Sequence, residues 1–455
     1  MRTGEATSPE PATPSWLGRL GLGRAELRAW VLYDCANSAA VTSIVTAIFP
    51  VYFGAVAGAH LPPALTTERY AVATTLALVL VAALSPVLGT VADVRPWKKP
   101  LLAAFAMIGI AGTAAMFLVG PGDWRLGAGL VVVVNVGLMG SFVFYDALLP
   151  HVAREDELDR VSSAGFAIGY LGGGLLLAVQ LLAITRPALF GLPHGPGLSS
   201  AQATLPTRLA FLSVAIWWAA FTVPLLLRVR EPTPPADARR APVVRLAFTR
   251  LGRTARTLRA YPQAALMLLA FLVYNDGIGT IIRMATIYGT ELGLPAGALI
   301  AAILLVQFIG VPCAFLFGLL AGRVGAKRAV LGGLAVYGGV AVLAYFTRTA
   351  AHFYALAILV GLVQGGTQAL SRSIFASLVP RHLSGEFFGF FSVVEKVAGI
   401  VGPGIYAAAI ALTGSSRGAV LSVIAFFAIG AALLSRVDVE GGQRAARAAR
   451  GPETA

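Results

Sequence analysis

Residues 264–289 read AALMLLAFLVYNDGIGTIIRMATIYG. The run is long enough to cross the roughly 30 Å hydrocarbon core of a bilayer, yet it holds Asn275, Asp276 and Arg283. An ionised side chain at the centre of a membrane helix costs roughly 2.5–3.5 kcal/mol even on the lenient insertion scale. The segment must therefore face other helices or a wet cavity. Asp276, Thr280 and Arg283 follow one another at steps of four and three residues, which stacks them on one helical face. That face is expected to be the working surface of the protein.

Working outward, the same pattern of long apolar runs recurs along the chain, at 29–57, 70–92, 100–119, 126–150, 161–184, 209–227, 297–320, 329–347, 353–379, 387–412 and 418–435. With 57% hydrophobic residues, 12% charged residues and a mean hydropathy of +0.78, the chain is far from the balance of a soluble domain. Continuous runs of this length argue for helices rather than the alternating pattern of a membrane barrel. The expected fold is an all-α polytopic membrane protein of twelve transmembrane helices in two six-helix bundles, 29–229 and 263–437. A tail at 1–28, a basic linker at 230–262 and a tail at 438–455 complete it. No short apolar core followed by a cleavage site opens the chain, so the first run is read as the first span.

The net charge of +14 could suggest nucleic acid, but its placement decides otherwise. Of the 35 lysines and arginines, 26 fall on one side of these spans, six on the other and three within them. This is the positive-inside asymmetry, and it puts both termini in the cytoplasm. Basic residues on that side can also hold anionic lipid headgroups. In the linker, Val244, Phe248, Leu251, Ala255 and Leu258 repeat at steps of four and three while the arginines lie mostly elsewhere. That pattern suits either a helix lying on the inner membrane surface or a solvated connector.

The polar residues inside apolar runs are the candidate site. Gln364, Gln368 and Arg372 are spaced by four on the tenth span. Arg372 either snorkels to the inner interface or anchors an anionic group through its planar donors. Tyr145 and Asp146 close the fourth span, with Asn135 about three turns up the same face, so Asp146 lies in the interface or in a cavity. Glu395 and Lys396 are adjacent on the eleventh span and need partners on other helices, Arg372 being one for Glu395. Asp34 and Asn37 share a face of the first span, near enough to its start for Asp34 to be an interfacial cap instead. Gly89, Asp93, Arg95, Lys98 and Lys99 occupy a loop where a charged latch could hold one conformational state. Gly169, Gly172, Gly173 and Gly174, with Gly361, Gly365 and Gly366, fit close helix packing or helix sliding.

The two halves echo each other. GTVADVRPWKK (89–99) matches GLLAGRVGAKR (318–328), FYDALLPH (144–151) matches IFASLVPRH (374–382), and LYD (32–34) matches VYND (273–276). Internal repeats are how many transporters build a central site. No phosphate-cradling loop, zinc-protease motif or nucleophile elbow is present. The five histidines, His60, His151, His194, His352 and His382, fall in loops or span ends, and Cys35 and Cys313 read as small buried side chains. Hence no cofactor, no metal and no enzymatic activity are expected, and the energy for transport would come from an ion gradient or the solute's own gradient. A receptor or scaffold working through its tails is one rival reading, and a transporter of sugars, drugs or peptides is the other.

The 6+6 plan, the basic central loop and the 89–99 motif resemble the major facilitator superfamily. More narrowly, WVLYDCANSAAVTSIVTAIFPVYF (30–53), VFYDALLP (143–150), VSSAGFAIGYLGGG (161–174), YNDGIGTIIRMATIYG (274–289), LVQGGTQALSRSIFASLVP (362–380) and FFGFFSVVEKVAGIVGP (387–403) are similar to the vacuole-effluxer-like permeases. That resemblance implies a solute–proton transporter and, for fungal members, export of amino acids such as leucine. Two departures stand out: Cys35 where relatives carry an aromatic, which would reshape a pocket, and Gly322 in place of the acidic residue of the second loop motif. The combined expectation is a monomeric permease with a central cavity lined by the first, fourth, fifth, seventh, tenth and eleventh spans. Glu395 and Asp34 would be the proton carriers, and rocking of the bundles would move the solute.

Overall fold

The computed structural model describes residues 16–232, 259–291, 294, 296–395, 405, 409 and 416–449. Lys396, the linker run Val244–Leu258, most of the expected eleventh span beyond residue 395, and the side chain of Arg283 lie outside the described residues. We number the main helices α1 (Ala25–Ala57), α2 (Pro63–Val94), α3 (Lys98–Ala115), α4 (Trp124–Val152), α5 (Leu158–Thr185), α6 (Leu205–Arg228), α7 (Pro262–Glu291), α8 (Ala296–Val324), α9 (Ala326–Tyr345), α10 (Ala350–Ser377), α11 (384–395), α12 (Ser416–Ser435) and α13 (Val439–Ala448). Among the described residues there is no strand, and ten helices are long and apolar enough to cross a membrane. Helix α12 meets α13 at a 57° bend and passes the same length and hydropathy test only together with it.

The pattern of burial is that of a membrane protein. Leu76, Val79, Leu227 and Leu343 are exposed on helix flanks while Asp34, Asp93, Asp276 and Arg372 are buried. Lipid solvates the first group, and only a partner inside the protein can solvate the second. In the first half of the chain α1 packs on α5 and α6, α3 on α4 and α6, and α2 on α4. In the second, α10 packs on α8 and α9, and α12 on α7 and α9. The halves meet where α5 packs on α8 and α10 and where α2 meets α11. At the second contact a β-carbon on Gly89 would collide with the Gly385 carbonyl oxygen. Only small residues allow backbones to come this near without a strong apolar driving force.

Helix α1 is not regular. Val41–Ala47 and Phe53–Ala57 are wound as π-helix around a short α-helical piece, Ile48–Tyr52. Pro50 has no N–H for the Thr46 carbonyl, so the ladder cannot pass through it unchanged, and the loosened turns lie on either side. The expected loop 58–69 is shorter than its composition suggests, because Pro63 sits in the first turn of α2, where its fixed φ is an advantage.

Both described ends of the chain lie on one face. Arg24, just before α1, donates to Glu157 at 2.6 Å and to the Val152 carbonyl at 3.0 Å, and Arg447 on α13 donates to Glu155 at 2.7 Å. We call this the terminal face.

Candidate functional site

A cavity of about 780 Å³ lies between the two halves. It runs from Asp34, Asp146 and Arg372 near the terminal face, past Glu395, to Tyr70, Tyr288, Leu299 and Phe353 near the opposite helix ends. Its floor is charged and its upper wall is mostly aliphatic and aromatic, with Asn135, Asn275, Gln364 and Gln368 between. Helices α2, α8, α9 and α12 contribute to the wall through Tyr70, Gln307, Val340 and Val420, so it draws on more of the bundle than the six expected spans.

The floor is built around Arg372. α10 carries Gln364, Gln368 and Arg372 at one-turn intervals, and all three line the cavity. Arg372 does not snorkel: it is 4% exposed. Its Nη1 donates to Asp146 Oδ1 at 3.1 Å and to Asp34 Oδ2 at 3.4 Å, and Nη2 donates to Asp34 Oδ2 at 3.4 Å and to the Ser162 carbonyl at 3.0 Å. Nε completes the set by donating to Ser162 Oγ at 2.9 Å. Around it stand the rings of Trp30, Tyr145 and Phe166, at 5.0, 5.5 and 4.6 Å from the guanidinium carbon. Trp30 and Tyr145 are stacked at 4.3 Å, held by a bond from Trp30 Nε1 to the Tyr145 carbonyl. Tyr145 in turn donates its hydroxyl to Asp34 Oδ2 at 3.0 Å. A cation from the second half of the chain is thus seated in an acidic and aromatic socket made by the first half. Planar stacking and forked donation are the contacts guanidinium makes best.

Below this cluster the terminal face is shut. Asp93 accepts from Lys98 Nζ at 2.5 Å, from the Gly385 amide at 2.9 Å and, on its other oxygen, from the Glu386 amide at 2.7 Å. It therefore ties α2 to the first turn of α11, where unpaired amides and the helix dipole favour an anion. Glu231 caps the first turn of α3 through the amides of Lys98 and Lys99, and Arg95 is half-buried beside them. Ser162 Oγ donates to the Ala369 carbonyl, Ser373 Oγ to Asp159, and His151 Nε2 pairs with Ser384 Oγ at 3.0 Å. Each of these bonds joins the two halves.

The expected site residues divide. Asp34, Tyr145, Asp146 and Arg372 are brought into one cluster, and Asn275, Gln364, Gln368 and Glu395 line the cavity above it. Asp34 is a buried partner of Arg372 rather than an interfacial cap. Asp276 needs correction. It is 2% exposed and lies outside the cavity wall, whereas its neighbour Asn275 and Thr280, one turn on, line it. Asn37 is likewise fully buried and away from the cavity. Cys35 shapes no pocket wall: its sulfur packs where a β-carbon on Gly172 would sit. Arg372 reaches Asp34 and Asp146 rather than Glu395. Ser162, Trp30, Phe166 and Gln307 did not stand out in the sequence. Gln307 was the readable one, an amide inside the apolar run of α8, and it donates to Thr42 on α1 at 2.9 Å.

The comparisons agree with this architecture. The model of the family described as "Vacuole effluxer Atg22 like" matches residues 64–447. The MFS-type transporter YxiO of Bacillus subtilis (strain 168) is 36% identical over 414 residues, covering 90% of this chain and 94% of YxiO. Autophagy-related protein 22-1 of Sclerotinia sclerotiorum is 25% identical, covering 83% of this chain and 76% of its own length. Among solved structures, the human organic anion transporter MFSD10 superposes with a TM-score of 0.68 at 12% identity, covering 90% of this chain and 99% of MFSD10. The transporter FucP in its outward conformation superposes with a TM-score of 0.65, also at 12% identity, covering 90% of this chain and 99% of FucP. These two establish the major facilitator fold. The chain is an integral membrane protein of the vacuole effluxer Atg22-like family, within the MFS-type transporters.

Proposed function

We propose that this protein is a secondary active transporter that moves a small polar solute, amino acids included, across the bacterial inner membrane by alternating access, with proton coupling. It works as a monomer in contact with membrane lipids, as transport rather than as catalysis. The observation that carries the reading is the position of the Arg372 cluster: a bond between the halves of the chain at the bottom of a central cavity. In this state the cavity reaches toward the face away from the termini, and the Asp93 and Arg372 contacts close the terminal face. Charge placement supports a cytoplasmic terminal face, which makes this an outward-facing state. The opposite state requires the two six-helix bundles, 29–229 and 263–437, to rock apart at Arg372, so any event that weakens its hold on Asp34 and Asp146 favours the switch.

Proton uptake by a carboxylate of this floor is such an event, because a neutral carboxyl attracts a guanidinium far less than an ionised one. Asp34 serves this role at the lock and Glu395 in the cavity. The lining residues Asn275, Gln364 and Gln368 meet the solute; Gly89, Asp93, Arg95, Lys98 and Lys99 form the gate. The test is reconstitution in liposomes with an imposed pH gradient and a screen of amino acids. A gradient-driven flux that falls in Asp34→Asn and Glu395→Gln supports the assignment. Undiminished coupled flux in the double variant removes both groups from the coupling.

A further inference from the structure

Resting on the transport reading, we infer that the cavity selects solutes through a positively charged ammonium group, and that a solute carboxylate is not required for binding. Arg372 is the one cation in the cavity wall among the described residues, and it is the group a carboxylate would seek. Yet each of its five N–H bonds is aimed at an acceptor already present: Asp146, Asp34 twice, and the hydroxyl and carbonyl of Ser162. Its faces are covered by the rings of Trp30, Tyr145 and Phe166. A solute anion could reach it only by undoing the contacts that close the terminal face.

The acceptors have the opposite balance. One guanidinium is shared by two carboxylates, so with both ionised the triad carries one excess negative charge in a setting walled off from water on the terminal side. Asp34 is enclosed, its carboxylate spent on Arg372 and the Tyr145 hydroxyl. Asp146 is the more accessible partner, with 15% of its side chain exposed and a place in the cavity wall. An ammonium entering from above passes Glu395, whose charge adds to the same negative field, and within the triad meets Asp146 first, with Phe142 one turn away on α4 and Phe166 over Arg372 in the wall. A carboxylate flanked by aromatic faces is the environment in which organic cations are held. The aliphatic upper wall then receives the remainder of the molecule.

The test is a binding measurement on the detergent-purified full chain with matched probes: 3-methylbutylamine against 4-methylpentanoate, and phenethylamine against 3-phenylpropionate. We expect each amine to bind about tenfold or more tightly than its matched acid, the ratio set by one charge-assisted hydrogen bond. Asp146→Asn should abolish that preference while the protein remains monodisperse. Should Asp146→Asn fail to fold, Phe142→Leu, which removes an aromatic face from the wall and no charge, gives a second measure of the same preference: it should weaken amine binding about threefold and leave the acids where they were. Acids binding as tightly as amines, or no amine binding at millimolar concentration, overturns the inference. Flux in liposomes separates it from the transport reading. Amine binding without flux of any probe counts against transport alone, whereas flux of the acids and not the amines counts against this inference alone.

Discussion

Nη1 of Arg372 lies 3.1 Å from Oδ1 of Asp146, a contact between residues 226 positions apart that joins α10 to α4 beneath the cavity. Both groups are largely removed from solvent, with side-chain exposures of 5% and 15%. Burying an ion pair is close to neutral in free energy, but stranding one partner costs about 3–5 kcal/mol. Arg372→Gln strands two carboxylates, whereas Asp34→Asn leaves Arg372 paired with Asp146. The arginine variant should therefore unfold at the lower temperature. Combining the two should restore part of the loss, giving a coupling energy of roughly 1–3 kcal/mol in a thermal-unfolding cycle. Strict additivity would show that the two groups do not interact.

The same cluster holds the terminal face closed, and its loss should be visible there. Ser384 is fully buried and bonded to His151 across the two halves. With Cys35 and Cys313 replaced by alanine, a cysteine introduced by Ser384→Cys should react slowly with a soluble maleimide. Adding Arg372→Gln should raise that rate at least tenfold, the effect of roughly 1.4 kcal/mol on a two-state equilibrium. An unchanged rate would mean that Arg372 does not bias the conformational balance.

Gly165 provides a way to disturb the cluster without removing a charge. A β-carbon there would stand 2.7 Å from Asp34 Oδ2 and 3.0 Å from Arg372 Nη2, with the Trp30 ring at 3.3 Å. All three neighbours are pinned, so the methyl group cannot be absorbed by a free rotamer, and Gly165→Ala should cost about 1–3 kcal/mol. Gly129→Ala, where nothing lies within 4 Å, should be neutral or slightly stabilising through helix propensity. Equal melting temperatures for the two variants would contradict the close packing of α5 on the ion cluster.

The contrast between Arg372 and Asp276 shows what the sequence could and could not convey. Periodicity placed Gln364, Gln368 and Arg372 on one stripe, and hydropathy located the spans, because lipid imposes length and apolarity on each helix separately. Neither property says which way a stripe is rotated relative to other helices. Asp276 sits mid-span and Asn275 beside it, about 100° apart around the helix; packing of α7 against α12 decides that the amide, not the carboxylate, faces the cavity. Trp30 and Phe166 were silent for a related reason. An aromatic in an apolar run is unremarked until the cation it covers is in place. The partnership of Asp34 with Arg372 spans 338 positions and required the halves to be assembled.

The last element that composition hid is α13. Residues 439–448, VEGGQRAARA, carry enough charge to read as a tail, yet they form a helix capped by Asp438 and laid against α7 and α10. Gly442 allows the approach, since a β-carbon there would meet Leu378 and sit 2.9 Å from Gln263 Cβ. Gln443 donates to Ser377 at 3.2 Å, and Arg447 crosses to Glu155 in the loop between α4 and α5. That ion pair is half-exposed, at 54% and 37%, and such pairs contribute about 0–1 kcal/mol. Arg447→Ala should therefore change little. Gly442→Leu, which forces the helix off its seat, and truncation after residue 437 should both speed modification of the Ser384→Cys thiol by about tenfold while leaving expression intact, because the loss falls on a clasp across the closed face rather than on the core. Had the segment been a solvated tail, Arg447→Ala, Gly442→Leu and the truncation would all leave the rate where it was.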